Sequence, residues 1–514
     1  MNLNKILRDN IEKFGTYPVL IFEDKEYTNT YIDEKSSQLA HSLMELGVKK
    51  GDRVLITMPN SPEVVIGFNG IIKCGAIVVP VMPLLQAQEI NYIVKDCQPK
   101  VLLTTELLFS KCQQAVKGLD SPPQVFVLDN PESSHSILTR MDNASKTAPE
   151  AAIDEHDEAA LLYTAGTTGN PKGVMLTHKN LFSNAKAAAE TAKILQLRQG
   201  RVALGVLPFS HAFGFTMMNV TLILGDKNVL LPQFDPVKVF EAIEKYKVTH
   251  SAMVPAMLHQ LYHHPDADKY DTSSFFAVTS GSAALPQQLA RNFQRKFSCV
   301  ILEGYGLSEA APIVTATDPT KKIKPGSVGL PLPGIKIAVV DENGNHLPPN
   351  EVGELIVSGP NVLKGYYGKP EETKKALKDG WLYTGDMARI DEEGYLLIVD
   401  RKKDLIIRGG FNIYPRDLEE LLTTHPDVAE AGVVGVPSPK MGEEVVAYIV
   451  KRKGSGLTEE DIRAYCQDKL AKYKTPRFIK IIGYMPRNLI GKIDKKKLRE
   501  LAKKDFAEAA ANIK

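Results

Sequence analysis

AALLYTAGTTGNPKG, residues 159–173, begins as an apolar run of strand length and turns into a loop of Gly, Thr, Asn and Pro ahead of a helix-like stretch. Strand, glycine turn and helix form the repeating unit of a parallel sheet covered by helices. The same alternation extends outward from this segment. VLIFED (19–24), RVLITM (53–58) and AIVVPV (76–81) read as strands. YIDEKSSQLAHSLMELGV (31–48) has helical periodicity and is closed by Gly47 and Gly51. Downstream, VKVFEAIEKYKV (237–248) reads as a helix entering the strand THSAMVPA (249–256), and FFAVTSGSA (275–283) as a strand running into a glycine turn. The fold class is α/β.

The texture changes near residue 330. GIKIAVVDENGNHLPPNEVGELIVSGP (334–360) alternates as β-strands do and carries the turn dipeptide Asn343-Gly344. GYLLIVD (394–400) adds a strand, RKKDLII (401–407) follows, and then a fresh, small α/β pattern begins. In it DLEELLTTH (417–425) and TEEDIRAYCQDKLAKY (458–473) are helical, while AGVVGVP (431–437) and EVVAYIV (444–450) are strands. The expected organisation is a large N-terminal domain over 1–400 with a β-rich subdomain, a hinge at 401–403 and a small C-terminal domain over 404–514. The tail KKKLRELAKKDFAEAAANIK reads as a basic, solvated helix.

At 514 residues, 43% hydrophobic and 24% charged, the chain has the make-up of a globular protein with a large core. A formal net charge of +2 marks it for neither nucleic acid nor a membrane surface. Five scattered cysteines, with no C-x-x-C pair, read as free thiols in a reducing compartment. The N-terminus reads as an amphipathic helix and not as a signal peptide. The most apolar stretch, 64–85, is broken by Asn69, Lys73 and Pro80, so it reads as a buried helix and strand, not a span. The expectation is a cytoplasmic protein without stable membrane insertion.

Five local patterns carry chemistry. In Tyr163-Thr-Ala-Gly-Thr-Thr-Gly-Asn-Pro-Lys-Gly173, glycines expose backbone N–H groups, threonines add rotatable donors, and Lys172 adds a point charge. That combination suits a polyphosphate, although the G-x-x-x-x-G-K-[ST] loop cannot be fitted. In Glu303-Gly-Tyr-Gly-Leu-Ser-Glu309, a tyrosine between glycines can offer its face to a purine, and Glu309 can hold Mg²⁺ against phosphate charge. In Trp381-Leu-Tyr-Thr-Gly-Asp386, an aspartate after a glycine turn can accept both hydroxyls of a ribose. Asp400-Arg-Lys-Lys-Asp404 is a charged turn, and Gly491-Lys492 places one lysine among several.

In this order and spacing the five patterns, with GFNIYPRDLEE (410–420), resemble the adenylate-forming superfamily of acyl-CoA synthetases, luciferases and peptide-synthetase adenylation domains. The resemblance runs from about residue 10 to about 500 and is closest to the fatty acyl-CoA ligases. It implies an acid–thiol ligase that uses ATP, Mg²⁺ and coenzyme A, forms an acyl-adenylate and releases AMP and pyrophosphate. It places the ATP site on Thr164, Gly166, Thr167, Thr168, Gly169 and Lys172, on Gly281, Ser282 and Ala283, and on Glu303, Gly304, Tyr305, Gly306 and Ser308. Asp386 and Arg401 would hold the ribose, Glu309 the Mg²⁺, and His211 would lie over the carboxylate pocket. Lys492 would bridge acyl carboxylate and phosphate during adenylation. The C-terminal domain would then rotate about Lys403, withdrawing Lys492 and bringing Gly409 and Gly410 to coenzyme A. Two positions depart from the pattern: Ala165 replaces a serine of the phosphate loop, and Ile407 stands where aryl-acid ligases carry a lysine.

The reaction needs no general base, since a carboxylate is already ionised at neutral pH. It needs cations to let two anions meet. The apolar, partly small residues Phe213, Gly214, Phe215, Ala310, Ala311 and Pro312 suggest a medium- or long-chain fatty acid. An aromatic or alicyclic acid is the alternative, as is transfer to a carrier protein in place of coenzyme A. The expected assembly is a monomer or homodimer.

Overall fold

The computed structural model describes residues 2–164, 171–192, 200–487 and 492–511. The chain divides into two compact units, Met1–Ile337 with Val357–Tyr383, and Ala338–Ile356 with Thr384–Lys514.

Two large sheets build the first unit. One has seven strands in the order Gly365–Tyr366, Lys172–Thr177, Glu158–Thr164, Ile77–Pro80, Arg53–Thr57, Val101–Thr104 and Gln124–Val127. The strands from Glu158–Thr164 to Gln124–Val127 run parallel. Two antiparallel pairings at the other edge belong to the Glu158–Thr164/Lys172–Thr177 hairpin and to Gly365–Tyr366. The inner strands are near-continuous apolar runs because both of their faces are covered. The second sheet has nine strands, and its parallel centre is Ala277–Ser280, His250–Met253, Val202–Gly205 and Lys227–Leu230, with Val300–Gly306 alongside.

The helices Asn29–Glu45 and Pro62–Lys73 pack closely. A methyl on Gly70 would stand 2.8 Å from Leu39 Cδ2, so only glycine permits that approach. The apolar stretch at 64–85 is this second helix followed by the strand Ile77–Pro80, as its interruptions indicated. Lys73 is buried at the end of the helix, where its ammonium donates to Asp33 Oδ1 (2.6 Å) and Ser37 Oγ (2.9 Å). Among the described residues no helix is long and apolar enough to cross a membrane. All five cysteines are buried and unpaired.

In the second unit, Ile406–Arg408, Phe411–Ile413, Val428–Ser438, Gly442–Lys451 and Phe478–Ile481 form a sheet with helices on both faces. Val433, Val445 and Ala447 face Leu418 and Leu422 of Pro415–Thr423 and Ile462 and Cys466 of Glu459–Lys469. Their neighbours Val434, Val446 and Tyr448 face the opposite way, against Leu498, Ala502 and Ala510. That is the two-residue period of a strand. The tail is therefore not a solvated helix. Lys495–Ala511 closes one face of the sheet, and Phe506 stacks on Phe478 at 4.8 Å. The expected hinge falls in the short turn Lys402–Asp404, within this unit.

Candidate functional site

Thr164 and Lys172 are paired across the antiparallel hairpin whose connecting loop reads as a phosphate cradle. Gly166, Thr167, Thr168 and Gly169, with Ala165, lie outside the described residues. At the loop's exit the strand leads into the helix His178–Thr191 through a capping box, in which Thr177 and Asn180 bond each other's backbone N–H. Asn180 also donates to the carbonyls of Pro360 (2.7 Å) and Val362 (2.9 Å). The segment carrying Gly365–Tyr366 is thereby tied to the hairpin.

Lys172 meets two residues that the sequence did not single out. Its ammonium pairs with the Glu372 carboxylate and lies 5.4 Å from the centre of the Tyr366 ring. The Tyr366 hydroxyl donates to Glu309 Oε1 at 3.1 Å. Burial, then the nearby Glu309 charge, raises the hydroxyl's pKa, so it stays a donor. Glu309 sits in the turn Ser308–Ala310, fixed by Leu363 N–H to Glu309 O (2.9 Å) and by Asn361 Nδ2 to Ala310 O (2.7 Å). Lys172, Glu309, Tyr366 and Glu372 thus form one connected group.

Gly281, Ser282 and Ala283 follow the strand Ala277–Ser280, whose neighbour Val300–Gly306 carries Glu303, Gly304, Tyr305 and Gly306. Ser280 pairs with Glu303, so the two glycine-rich ends that the resemblance assigns to one site lie side by side. A methyl on Gly281 would lie 3.4 Å from Gly304 O and 3.5 Å from the Phe213 ring. One on Gly306 would lie 2.1 Å from Pro312 O, a clash that reserves this position for glycine. Ser308 opens the turn that ends in Glu309 and Ala310.

His211 caps the helix Ala212–Leu224, its Nδ1 accepting from the Phe213 N–H at 3.3 Å. The preceding loop is pinned by Asn60, which accepts from Phe209 N–H (2.9 Å) and donates to Leu207 O (2.9 Å). Phe213 joins Leu207, Ala252, Met217, Val254 and Met257 in a small apolar cluster. Phe215 turns instead into the core, fully buried 5.1 Å from Phe68. Gly214 is fixed by Pro208, whose carbonyl would lie 2.1 Å from an added methyl.

In the second unit Asp386 and Arg401 face each other across an antiparallel pair, with Nε 3.3 Å from Oδ1. Asp386 is 5% exposed, and its N–H donates to Thr384 Oγ1 at 3.1 Å. Lys492 stands beside both. Its pKa is pulled down to about 8, by burial first and then by Arg401, with Asp386 opposing the shift. Burial of its ammonium and then Arg401 also lower the pKa of Lys403. Arg499 donates to Lys403 O (3.3 Å) and pairs with Asp404, fastening this turn to the terminal helix.

Gly409 and Gly410 form the two-residue turn between Ile406–Arg408 and Phe411–Ile413, with φ of 58° and 81°. Two left-handed residues make the hairpin turn that glycine tolerates best. Ile407 and Phe411 flank it, 51% and 56% exposed. Arg408 turns inward to pair with buried Glu444 (2.7 Å) and to donate to Tyr473 O and Thr475 O.

Comparison with known proteins gives the family. The family model described as AMP-binding enzyme matches residues 7–367, and the model of the AMP-binding enzyme C-terminal domain matches 417–492. A long-chain-fatty-acid–CoA ligase from Bacillus subtilis is 39% identical, over 97% of this chain and 94% of the relative. The crystal structure of ATP-bound MatB from Rhodopseudomonas palustris superposes with a TM-score of 0.90 at 32% identity, covering 98% of this chain and 99% of that one. The anthranilate CoA ligase AuaEII, solved with anthranoyl-AMP, gives a TM-score of 0.91 at 28% identity, covering 99% and 98%.

Proposed function

The chain belongs to the AMP-binding enzyme family and is a carboxylic acid–CoA ligase, and within that class we propose that it activates a medium- or long-chain fatty acid in two steps. The observation that carries the choice of acid is the uncharged cluster of Phe213, Met217, Val254 and Met257 beside Gly281. Unbranched, adaptable methionines and one aromatic ring suit an alkyl chain. The high identity to a long-chain ligase supports the same reading.

In the first step the acyl carboxylate attacks the α-phosphorus of ATP in line, and pyrophosphate leaves. The residues would work by placing positive charge where anions meet. Lys172 would bind the polyphosphate, Asp386 the ribose hydroxyls, and Arg401 would hold Asp386 in place. Lys492 would bridge carboxylate and phosphate. Glu309 fits Mg²⁺, an ion held by one or two carboxylates together with substrate phosphates. When bound, Mg²⁺ would neutralise charge on the leaving pyrophosphate. In the second step the thiol of coenzyme A attacks the acyl carbonyl and AMP leaves. The turn at Gly409 and Gly410 would then lie against the pantetheine arm. Five buried thiols fit a reducing, cytoplasmic setting.

The test is a pyrophosphate-release scan from C4 to C16 acids beside benzoate, with and without coenzyme A. Each methylene buried should add about 0.8 kcal/mol, so kcat/KM should rise about fourfold per methylene for as long as added methylenes are buried. A benzoate or cyclohexane acid that exceeds every straight chain would make the aromatic reading correct. Turnover that ignores coenzyme A would point to another acceptor.

A further inference from the structure

Glu372 lies outside every motif that names the ATP site, yet its carboxylate holds the ammonium of Lys172. Its placement is built, not incidental. Glu372 is on the short helix Pro370–Ala376, and the next residue, Thr373, fixes that helix to the site. Thr373 Oγ1 accepts from Tyr366 N–H (2.9 Å) and donates to Lys369 O (3.0 Å). Gly365 makes room for this contact, since a methyl there would lie 2.9 Å from Thr373 Cγ2. The ring of Tyr366 supports the lysine from below, and its hydroxyl reaches Glu309. The carboxylate is held below its usual pKa, chiefly by its hydrogen bond from Lys172. It is therefore an anion at neutral pH, sitting where the lysine of a phosphate loop would meet a phosphate oxygen.

We propose that Glu372 is a positioning residue of the ATP site, an internal anion that keeps Lys172 over Tyr366 until the triphosphate of ATP displaces it. The proposal rests on the ligase reading only in assigning Lys172 to ATP. It requires an exchange of partners: Lys172 leaves one carboxylate oxygen for a phosphate oxygen, and Glu372 returns to solvent. Glu372 is exposed enough for water to take it back. Holding the lysine lowers ATP affinity, because the nucleotide competes with a tethered anion. It also restrains the ammonium until the nucleotide arrives.

The experiment measures ATP binding by calorimetry to the wild type, E372Q, K172M and the double variant, without acid or coenzyme A. An ion pair partly open to solvent predicts that E372Q tightens ATP about two- to fivefold. KM for ATP should fall alike in the pyrophosphate-exchange assay, while KM for the acid and the melting temperature stay put. In the K172M background the same change should have no effect, which separates competition for Lys172 from simple removal of a negative charge. Unchanged or weaker ATP binding in E372Q would overturn the proposal, and so would equal tightening with and without Lys172. Wild-type protein that binds ATP but releases no pyrophosphate with any acid would sink the ligase reading and leave this binding cycle to stand or fall by itself. Wild-type protein that binds no ATP would overturn both.

Discussion

Lys492 carries its charge where burial and the Arg401 guanidinium both disfavour it, and Asp386 only partly compensates. With a folded pKa of about 8 against an ordinary 10.5, the unfolded chain binds more protons between those values. Stability of the ligand-free protein therefore rises with pH through that window. Adenylation should move the other way. If the ammonium is the bridging charge, kcat/KM for pyrophosphate release should fall as pH rises through about 8. Lys492→Ala should abolish that limb and slow adenylation on the order of 10²–10³-fold, while sparing thioester formation from added acyl-adenylate. A limb that survives in Lys492→Ala belongs to another group. The proximity of Lys492, Asp386 and Arg401 was legible through the family resemblance, which joins their separate patterns in one site. Glu372 and Tyr366 were not. Glu372 meets Lys172 across 200 residues of chain, and no local spacing encodes that contact.

The elements differ in how openly they are written. Parallel strands such as Arg53–Thr57 and Ile77–Pro80 are buried on both sides and announce themselves as apolar runs. The helix Lys495–Ala511 hides its purpose. Its lysines dominate the reading, but Leu498, Ala502, Phe506 and Ala510 recur at four-residue spacing and meet the sheet. Two of these contact residues are alanines, too small to raise the apolar signal above the charge. Leu498 is fully buried, so Leu498→Ala should cost about 2–5 kcal/mol in denaturant unfolding. A loss below about 0.5 kcal/mol would mean that the helix is peripheral after all. The turn at Gly409 and Gly410 teaches a related lesson. The two glycines read as a close approach to a ligand, yet their positive φ values already account for glycine in a two-residue hairpin. A coenzyme A contact there is a separate proposal, tested by following thioester formation apart from adenylation.

At the scale of the whole molecule, one chain has to serve two reactions with different neighbours for the same acyl group. The α/β architecture was legible because alternation of period and turn repeats along most of the chain. The geometry of a switch was not, since it depends on backbone torsions at a few residues. Lys403 is the residue to question. It lies in the first turn of Lys402–Asp404, just after Arg401, and the Leu405 N–H closes back on Arg401 O at 3.2 Å. A proline is tolerated in a first helical turn, where its fixed φ near −65° matches the backbone. Lys403→Pro should therefore fold normally and hold the turn as it is seen here. In this conformation Lys492 stands beside Asp386 and Arg401, the arrangement proposed for adenylation. The substitution should leave pyrophosphate release within about twofold of wild type. Thioester formation, which would require these torsions to change, should drop by about tenfold or more, equivalent to about 1.4 kcal/mol in the barrier. Lys403→Ala controls for loss of the side chain and should spare both steps. If Lys403→Pro and Lys403→Ala behave alike in thioester formation, the backbone at 403 does not turn during the cycle and the hinge lies elsewhere.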